Sequence, residues 1–294
     1  MTDEKYDNLK FLSRQYINNI NIQVKEKNNF SNLCDLLFPG YYQLLDENTF
    51  ILGLEIFKKY YHPEIVINKK QSQFVNEIDK LAKKLGHKGA GITLAKKVYT
   101  LAQNTITVRP KNKYAQLSAI SCADILIQII KTSNEIISNM DELARELPEY
   151  EEISKIPGVG KKLTSRVIAE VGDERRFKNA GSLIAYAGLD APPYQSGQFE
   201  ATKRHISKRG NKYLRKTGYE VMKSIKSSCK SDNELKSYII KKENEGKLKK
   251  VAKIAGLNKF IKNYWFLLAS FYEIFTKVYV KYWHIIRNFV MIDM

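Results

Sequence analysis

The sequence predicts a mainly α-helical protein. Three observations carry that expectation. Apolar residues recur at spacings of three and four over long stretches, β-branched alternation is short and rare, and glycine and proline are scarce, 15 and 7 in 294 residues, and gathered at a few points. An apolar content of 44% is enough for a core and excludes wholesale disorder. The length suggests two domains, or one domain with an appendage.

The elements follow in order. Residues from about Tyr6 to Lys27 read as one helix, with a break before Phe38-Pro39-Gly40. Glu47 to Tyr61 makes a second helix that ends at His62-Pro63. Gln71 to Leu85 is amphipathic and stops at Gly86, with Gly89 and Gly91 as a hinge; Leu94 to Ala102 continues the pattern. Arg109-Pro110 marks a bend. From Lys113 to Leu147 runs a long helix in which Leu126, Ile130, Ser133, Ile137, Met140, Ala144 and Leu147 keep heptad spacing. That spacing fits an antiparallel hairpin, a coiled-coil seam that makes self-association plausible, or an ordinary core-facing helix. Pro148 ends it. A compact helical domain is expected over residues 149–262, and an aromatic tail, residues 263–294, reads as one further amphipathic helix.

Charge narrows the partners. The chain carries 49 Lys and Arg against 31 Asp and Glu, a formal charge of +18. Residues 201–250 hold sixteen of the basic and five of the acidic residues, a surplus of eleven. A solvated helix face accounts for any single cluster, but one-sided basicity on this scale fits phosphate-backbone binding better. Cys34, Cys122 and Cys229 are odd in number and far apart, which fits neither a disulfide framework nor a metal-ligand pair and suggests a reducing compartment. The N-terminus lacks a signal-peptide core, and Glu273, Lys277, Lys281 and Arg287 interrupt the aromatic tail. A soluble, cytoplasmic, nucleoid-associated protein is the expectation, with no membrane partner.

Two motifs carry chemistry. In Ile153-Ser-Lys-Ile-Pro-Gly-Val-Gly160, Gly158 and Gly160 can take positive φ, turn the chain sharply and bare N–H groups toward an anion. Ile153, Ile156, Val159, Leu163 and Val167 are expected on the inner face, and Lys161, Lys162 and Arg166 stand ready to neutralise phosphate. This is the helix-hairpin-helix pattern, which grips DNA backbones without reading sequence; a glycine-rich turn with no ligand is the bland alternative. Thr164 and Ser165 read as surface helix residues. The second motif is Asp190-Ala-Pro-Pro-Tyr-Gln-Ser-Gly197, a loop in which Ser196 can be held forward. Lys203, Arg204, His205, Lys208, Arg209, Lys212 and Arg215 follow within twenty residues. A serine among cations can be a phosphoryl-transfer nucleophile, since guanidinium and ammonium groups offset transition-state charge. On spacing alone an ordinary Ser-Gly turn is the commoner explanation. His205 reads as a turn or surface residue, Ser207 as a local turn or a phosphate contact, and Asn211 as a helix N-cap.

The order and spacing of IPGVGKKLTSRVIAEVGDERRFKNAGSLIAYAGL, YQSGQF, HISKRGNKYLRK and EGKLKKVAKIAGLNKFIK, from Ile153 to Lys262, resemble the C-terminal domain of the IS-one-ten family of insertion-sequence transposases, related to the Piv/MooV DNA invertases. Phe38 to Leu45 and the helices before Pro148 resemble its middle region more loosely. The resemblance implies a RuvC-like domain whose Asp-Glu-Asp-Asp set holds Mg²⁺, then a transposase domain whose serine forms a covalent link to DNA. It also implies, for some members, a guide RNA encoded by the element that assigns sequence choice to base pairing. Carried over residue by residue, Ser196 becomes the nucleophile, Gly158 and Gly160 the hairpin, and Arg204, Lys208, Arg209 and Arg215 nucleic-acid contacts, with Lys203 beside them.

On that resemblance, residues 1–30 are a remnant of the RuvC-like domain, most of which is missing, and residues 31–148 a helical, coiled-coil linker. Asp3 and Asp7 resemble the last acidic pair but are four apart rather than three, and two acids on one helix start cannot supply a metal site. The expected function is therefore DNA transposition and recombination in an N-terminally truncated, inactive copy, with no Mg²⁺ bound by this chain alone. A non-catalytic DNA- or RNA-binding protein built on the hairpin is the alternative. A repair or junction-processing factor is a third, which the Ser-Gly and Ser-Lys-Arg-Gly-Asn segments oppose.

Overall fold

A computed structural model describes residues 4–87, 89–192, 195–196, 199–200, 205–228 and 233–290, and for 195–196, 199–200, 228 and 271–290 the backbone alone. It is mainly α, as expected. The helices are α1 (Glu4–Leu37), α2 (Phe50–Lys59), α3 (Pro63–Ile67), α4 (Gln71–Lys84), α5 (Ala90–Gln103), α6 (Lys113–Arg145), α7 (Tyr150–Ser154), α8 (Lys161–Val171) and α9 (Ala180–Ala187). Two-residue strands β1 (Gln195–Ser196) and β2 (Phe199–Glu200) follow, then α10 (Lys212–Ser228), α11 (Glu234–Asn244) and α12 (Lys249–Val290). Among the described residues, no helix is long and apolar enough to cross a membrane.

Helix ends follow local chemistry. The Asn112 side chain accepts from the backbone N–H groups of Tyr114 and Ala115 at 3.0 and 2.9 Å and so caps α6, which stops before Pro148. α1 runs ten residues beyond the expected Lys27, because Phe30, Cys34 and Leu37 keep a buried stripe going until Phe38-Pro39-Gly40. The heptad positions Leu126, Ser133, Met140, Ala144 and Leu147 are buried within the single chain, so this seam is not an exposed face.

The chain divides into two compact units, residues 15–136 and residues 1–14 with 137–294, and α1 and α6 give one stretch to each. Residues 15–136 enclose an aromatic core. Phe30 meets Phe57 edge-on at 5.1 Å between ring centroids, and Tyr41 lies 5.1 Å from Phe57. The buried Tyr41 hydroxyl donates to the Gly53 carbonyl at 2.7 Å, which removes the penalty of an unsatisfied polar group. Each such fully buried aromatic contributes on the order of 2 kcal/mol.

The other unit is built around α8, whose residues Thr164 to Val171 are all buried. Tyr6 of α1 donates to the buried Glu149 at 2.7 Å. Glu174, in a 3-10 turn spanning Glu174–Arg176, is buried, and among the described residues no other residue hydrogen-bonds its carboxylate oxygens. Burial, reinforced by the charges of Glu149 and Asp173, raises its pKa to about 7. Trp265 of α12 donates from its indole N–H to the Phe177 carbonyl at 3.1 Å, which pins α12 to this unit.

Candidate nucleic-acid interface

The expected glycine corner is a tight turn joining α7 to α8. Its apolar residues face as predicted: Ile153, Val159 and Val167 are buried, while Ile156 and Leu163 are half-buried. Gly158 has φ +88°, and a Cβ there would sit 2.9 Å from the Ile225 Cα of α10, so glycine is required by conformation and by space. Gly160 differs from the expectation. It holds an ordinary extended N-cap conformation, φ −77° and ψ 166°, because its carbonyl already accepts from Leu163 and Thr164 and α8 starts there without a reversal. Lys161 and Lys162 are exposed on the first turn.

Arg166 is not on that surface. It is buried, with its guanidinium held by Glu220 and Thr217 of α10, because α8 is covered on several sides and a buried cation needs a partner. Thr164 and Ser165, expected on the surface, are buried for the same reason. Their hydroxyls return to carbonyls of α8 itself, Thr164 to Gly160 and Ser165 to Lys161, each at 3.3 Å.

The far end of α8 carries a polar hub that sequence reading missed. Glu170 is fully buried, and its carboxylate accepts from Ser13 Oγ at 2.8 Å, Arg14 Nη2 at 2.9 Å and Asn211 Nδ2 at 3.1 Å. Arg14 also lies 3.5 Å over the Tyr213 ring. Asn211 is the N-cap that the sequence suggested, accepting from Tyr213 and Leu214 N–H groups at 2.9 and 3.2 Å. One asparagine therefore starts α10 and ties it to α8. Nothing in the spacing of Ser13, Arg14, Glu170 and Asn211 signals that they meet.

The loop at residues 205–211 is fastened to the end of α9. Ser207 donates to Asp190 from its hydroxyl at 2.6 Å and from its backbone at 2.7 Å, so it is a local structural contact. A Cβ on Gly210 would lie 2.1 Å from the Tyr186 carbonyl oxygen, so only glycine lets the loop approach. Arg215, expected to touch nucleic acid, donates to the carbonyls of Ala187, Gly210 and Lys208 at 2.9, 3.0 and 3.1 Å. Its five-donor fork satisfies the Ala187 carbonyl that α9 leaves open at its C-terminus and two carbonyls of the loop. Lys208, at φ +57°, and Arg209 are exposed, as is His205. The pinned backbone thus presents two cations to solvent. Lys203 and Arg204 lie outside the described residues.

Ser196 ends β1, and its backbone pairs across a short antiparallel hairpin with Phe199 of β2. The hairpin was not expected, although a Gly at the first of two connecting residues is a hairpin signal. Gly197 and Gln198 themselves lie outside the described residues, as does Asp3. Asp7 stands exposed in the first turn of α1. Among the described residues no three His, Cys, Asp or Glu side chains are placed to hold a metal.

These parts do not converge on one point. Gly158 lies against Ile225, Arg166 meets Thr217 and Glu220, and Glu170 meets Asn211, so α8 and α10 run antiparallel. The glycine turn and the 205–211 loop therefore sit at opposite ends of α8, roughly 16 Å apart by helical rise. A nucleic-acid strand, with a phosphate about every 3.4 Å along its axis, spans that in about five nucleotides.

Comparison with known proteins places this arrangement. Residues 150–239, which contain the glycine turn, Ser196 and the pinned loop, match the model of the Transposase IS116/IS110/IS902 family. The chain is 27% identical over 176 residues to the uncharacterized protein of insertion element IS116 from Streptomyces clavuligerus, 60% of this chain and 43% of that one. It is 30% identical over 109 residues to the pilin gene-inverting protein of Moraxella bovis, 37% of this chain and 33% of that one. With the transposase for insertion sequence element IS1111A of Coxiella burnetii it shares 27% identity over 207 residues, 68% and 55% of the two chains. The chain thus spans between a third and a little over half of these relatives' lengths. Residues 150–239 are thus similar to the transposases of the IS116/IS110/IS902 family.

Proposed function

We propose that this chain handles DNA as the strand-joining region of an insertion-sequence transposase. The family match over residues 150–239 carries this reading, because one segment unites the glycine turn, the serine and the cationic loop. Lys161 and Lys162 at the start of α8, and Lys208 and Arg209 at the other end, suit contacts to backbone phosphates, which orient a duplex without reading bases. Sequence choice is then left to an RNA that pairs with donor and target strands.

In the reaction proposed, Ser196 Oγ forms a bond to a DNA phosphorus while one ester P–O bond breaks. The hydroxyl proton ends on the leaving oxygen, and the DNA end waits as a serine phosphodiester. A neutral hydroxyl is a poor nucleophile without a base or metal beside it. We infer that this chain by itself binds DNA without cutting it. The test mixes purified chain, insertion-end DNA, candidate guide RNA and Mg²⁺, then separates protein under denaturing conditions. Salt-sensitive binding with no covalent adduct is the expected result. An adduct that Ser196→Ala abolishes would support the serine and overturn the inactivity.

The exposed Lys161, Lys162, Lys208 and Arg209 also favour a second reading, a non-catalytic nucleic-acid-binding protein. That reading requires unchanged binding in Ser196→Ala, with no adduct even when an intact family member supplies the acidic domain.

A further inference from the structure

The junction of α10, α11 and α12 gathers positive charge that the described residues neutralise only in part. Tyr219, Lys223, Lys226 and Lys253 line a groove of about 660 Å³ between α10 and α12. Lys226 donates to both oxygens of Glu243, at 2.5 and 2.6 Å. That hydrogen bonding, with the nearby charges of Lys253 and Lys249, holds the Glu243 carboxyl below its ordinary range. Three ammonium groups, those of Lys226, Lys249 and Lys253, thus act on one carboxylate, and Lys223 lines the same groove. Among the described residues Lys223 pairs with no acid, and Lys253 has only a long 3.4 Å hydrogen bond to the Lys249 carbonyl.

This arrangement is unfavourable in the isolated protein. Like charges repel across the groove, and lysines in the first turn of α12 oppose the helix dipole, with no acid in that turn to offset them. A small anion would neutralise one of these charges at a time. A sugar-phosphate backbone supplies evenly spaced charges along a track, and each ammonium–phosphate contact releases counterions. Tyr219 adds an aromatic wall on which a base can stack. Glu243 and the lysines of α12 also lie beyond residues 150–239, so the family match does not assign them.

We propose that the α10–α12 groove is a second sugar-phosphate track, gripping a nucleic-acid strand through Lys223 and Lys253 while Glu243 moderates its affinity. The inference rests on the reading that the chain handles nucleic acid, but it concerns different residues from the glycine turn.

The experiment measures anisotropy of a labelled duplex, and of one of its strands alone, with the full chain across a salt series. Lys223→Glu/Lys253→Glu should weaken binding about tenfold or more at moderate salt and lower the logarithmic salt slope by about 2. Glu243→Gln should tighten binding a few-fold. Loss confined to the duplex or to the single strand upholds the track and assigns its source. Unchanged affinity and slope in the double variant, beside weakening in Lys161→Glu/Lys162→Glu, would overturn the track and leave the proposed function standing. No binding by the unmodified chain would overturn both. Should the charge-reversed chain fold poorly, lysine acetylation of the unmodified protein decides: Lys223 and Lys253 become protected by nucleic acid, or the track is wrong.

Discussion

Removing Arg14 should show how firmly the hub at Glu170 holds the second unit together. The Glu170 carboxylate is fully buried, and Arg14 supplies its sole cationic donor among the described residues. Breaking a buried pair by deleting one partner costs about 3–5 kcal/mol, because the remaining charge is stranded. The Arg14 side chain keeps 29% exposure, and its Nη1 has no acceptor, so the lower end, about 3 kcal/mol, applies to Arg14→Met. Adding Glu170→Gln removes the stranded charge while keeping an acceptor for Ser13, so the double variant should recover about half of that loss. Urea unfolding followed by circular dichroism measures the cycle. A loss below about 1 kcal/mol in Arg14→Met, or strict additivity in the double variant, would refute the argument that charge burial dominates here.

Other expectations test local geometry and pH. Gly158→Ala should destabilise by more than about 1 kcal/mol, since it meets both a left-handed φ and the Ile225 backbone, whereas Gly160→Ala should stay within about 0.5 kcal/mol; thermal melts of the two variants distinguish them. The folded pKa of Glu174, about 7, lies above its unfolded value of 4.5, so the folded state binds its proton more tightly. Its contribution is fully present below pH 4.5 and is lost as pH rises toward and through 7. The melting temperature of the unmodified chain should therefore fall relative to Glu174→Gln between those limits, and parallel profiles would exclude the effect.

The sequence is most legible where periodicity and punctuation coincide. α6 begins at Lys113 as expected and ends just before Pro148, and α4 begins at Gln71 and stops ahead of Gly86, because apolar spacing and breakers agree there. Which cations face outward could not be read in the same way. A charge count treats Arg166 and Arg215 like Lys161 and Lys208, yet the two arginines are committed to internal acceptors while the lysines stay in water. The difference is chemical: a weakly hydrated, planar guanidinium can replace several lost contacts at once, and a compact ammonium resists burial. The Glu170 hub was hidden for another reason. Its members are up to 198 positions apart, from Ser13 to Asn211, and no local pattern marks a contact that only tertiary packing creates.

The antiparallel seating of α8 on α10 makes the pair behave as a caliper. Each jaw is set by groups that cannot shift: a glycine wedged against Ile225 at one end, an asparagine fastened to Glu170 at the other. Inserting a single residue into α8 would lengthen the span by only about 1.5 Å but would swing one jaw about 100° around the helix. On the proposed function, point changes on the exposed lysines should therefore weaken nucleic-acid binding by degrees, whereas a one-residue insertion between them and Glu170 should abolish it outright.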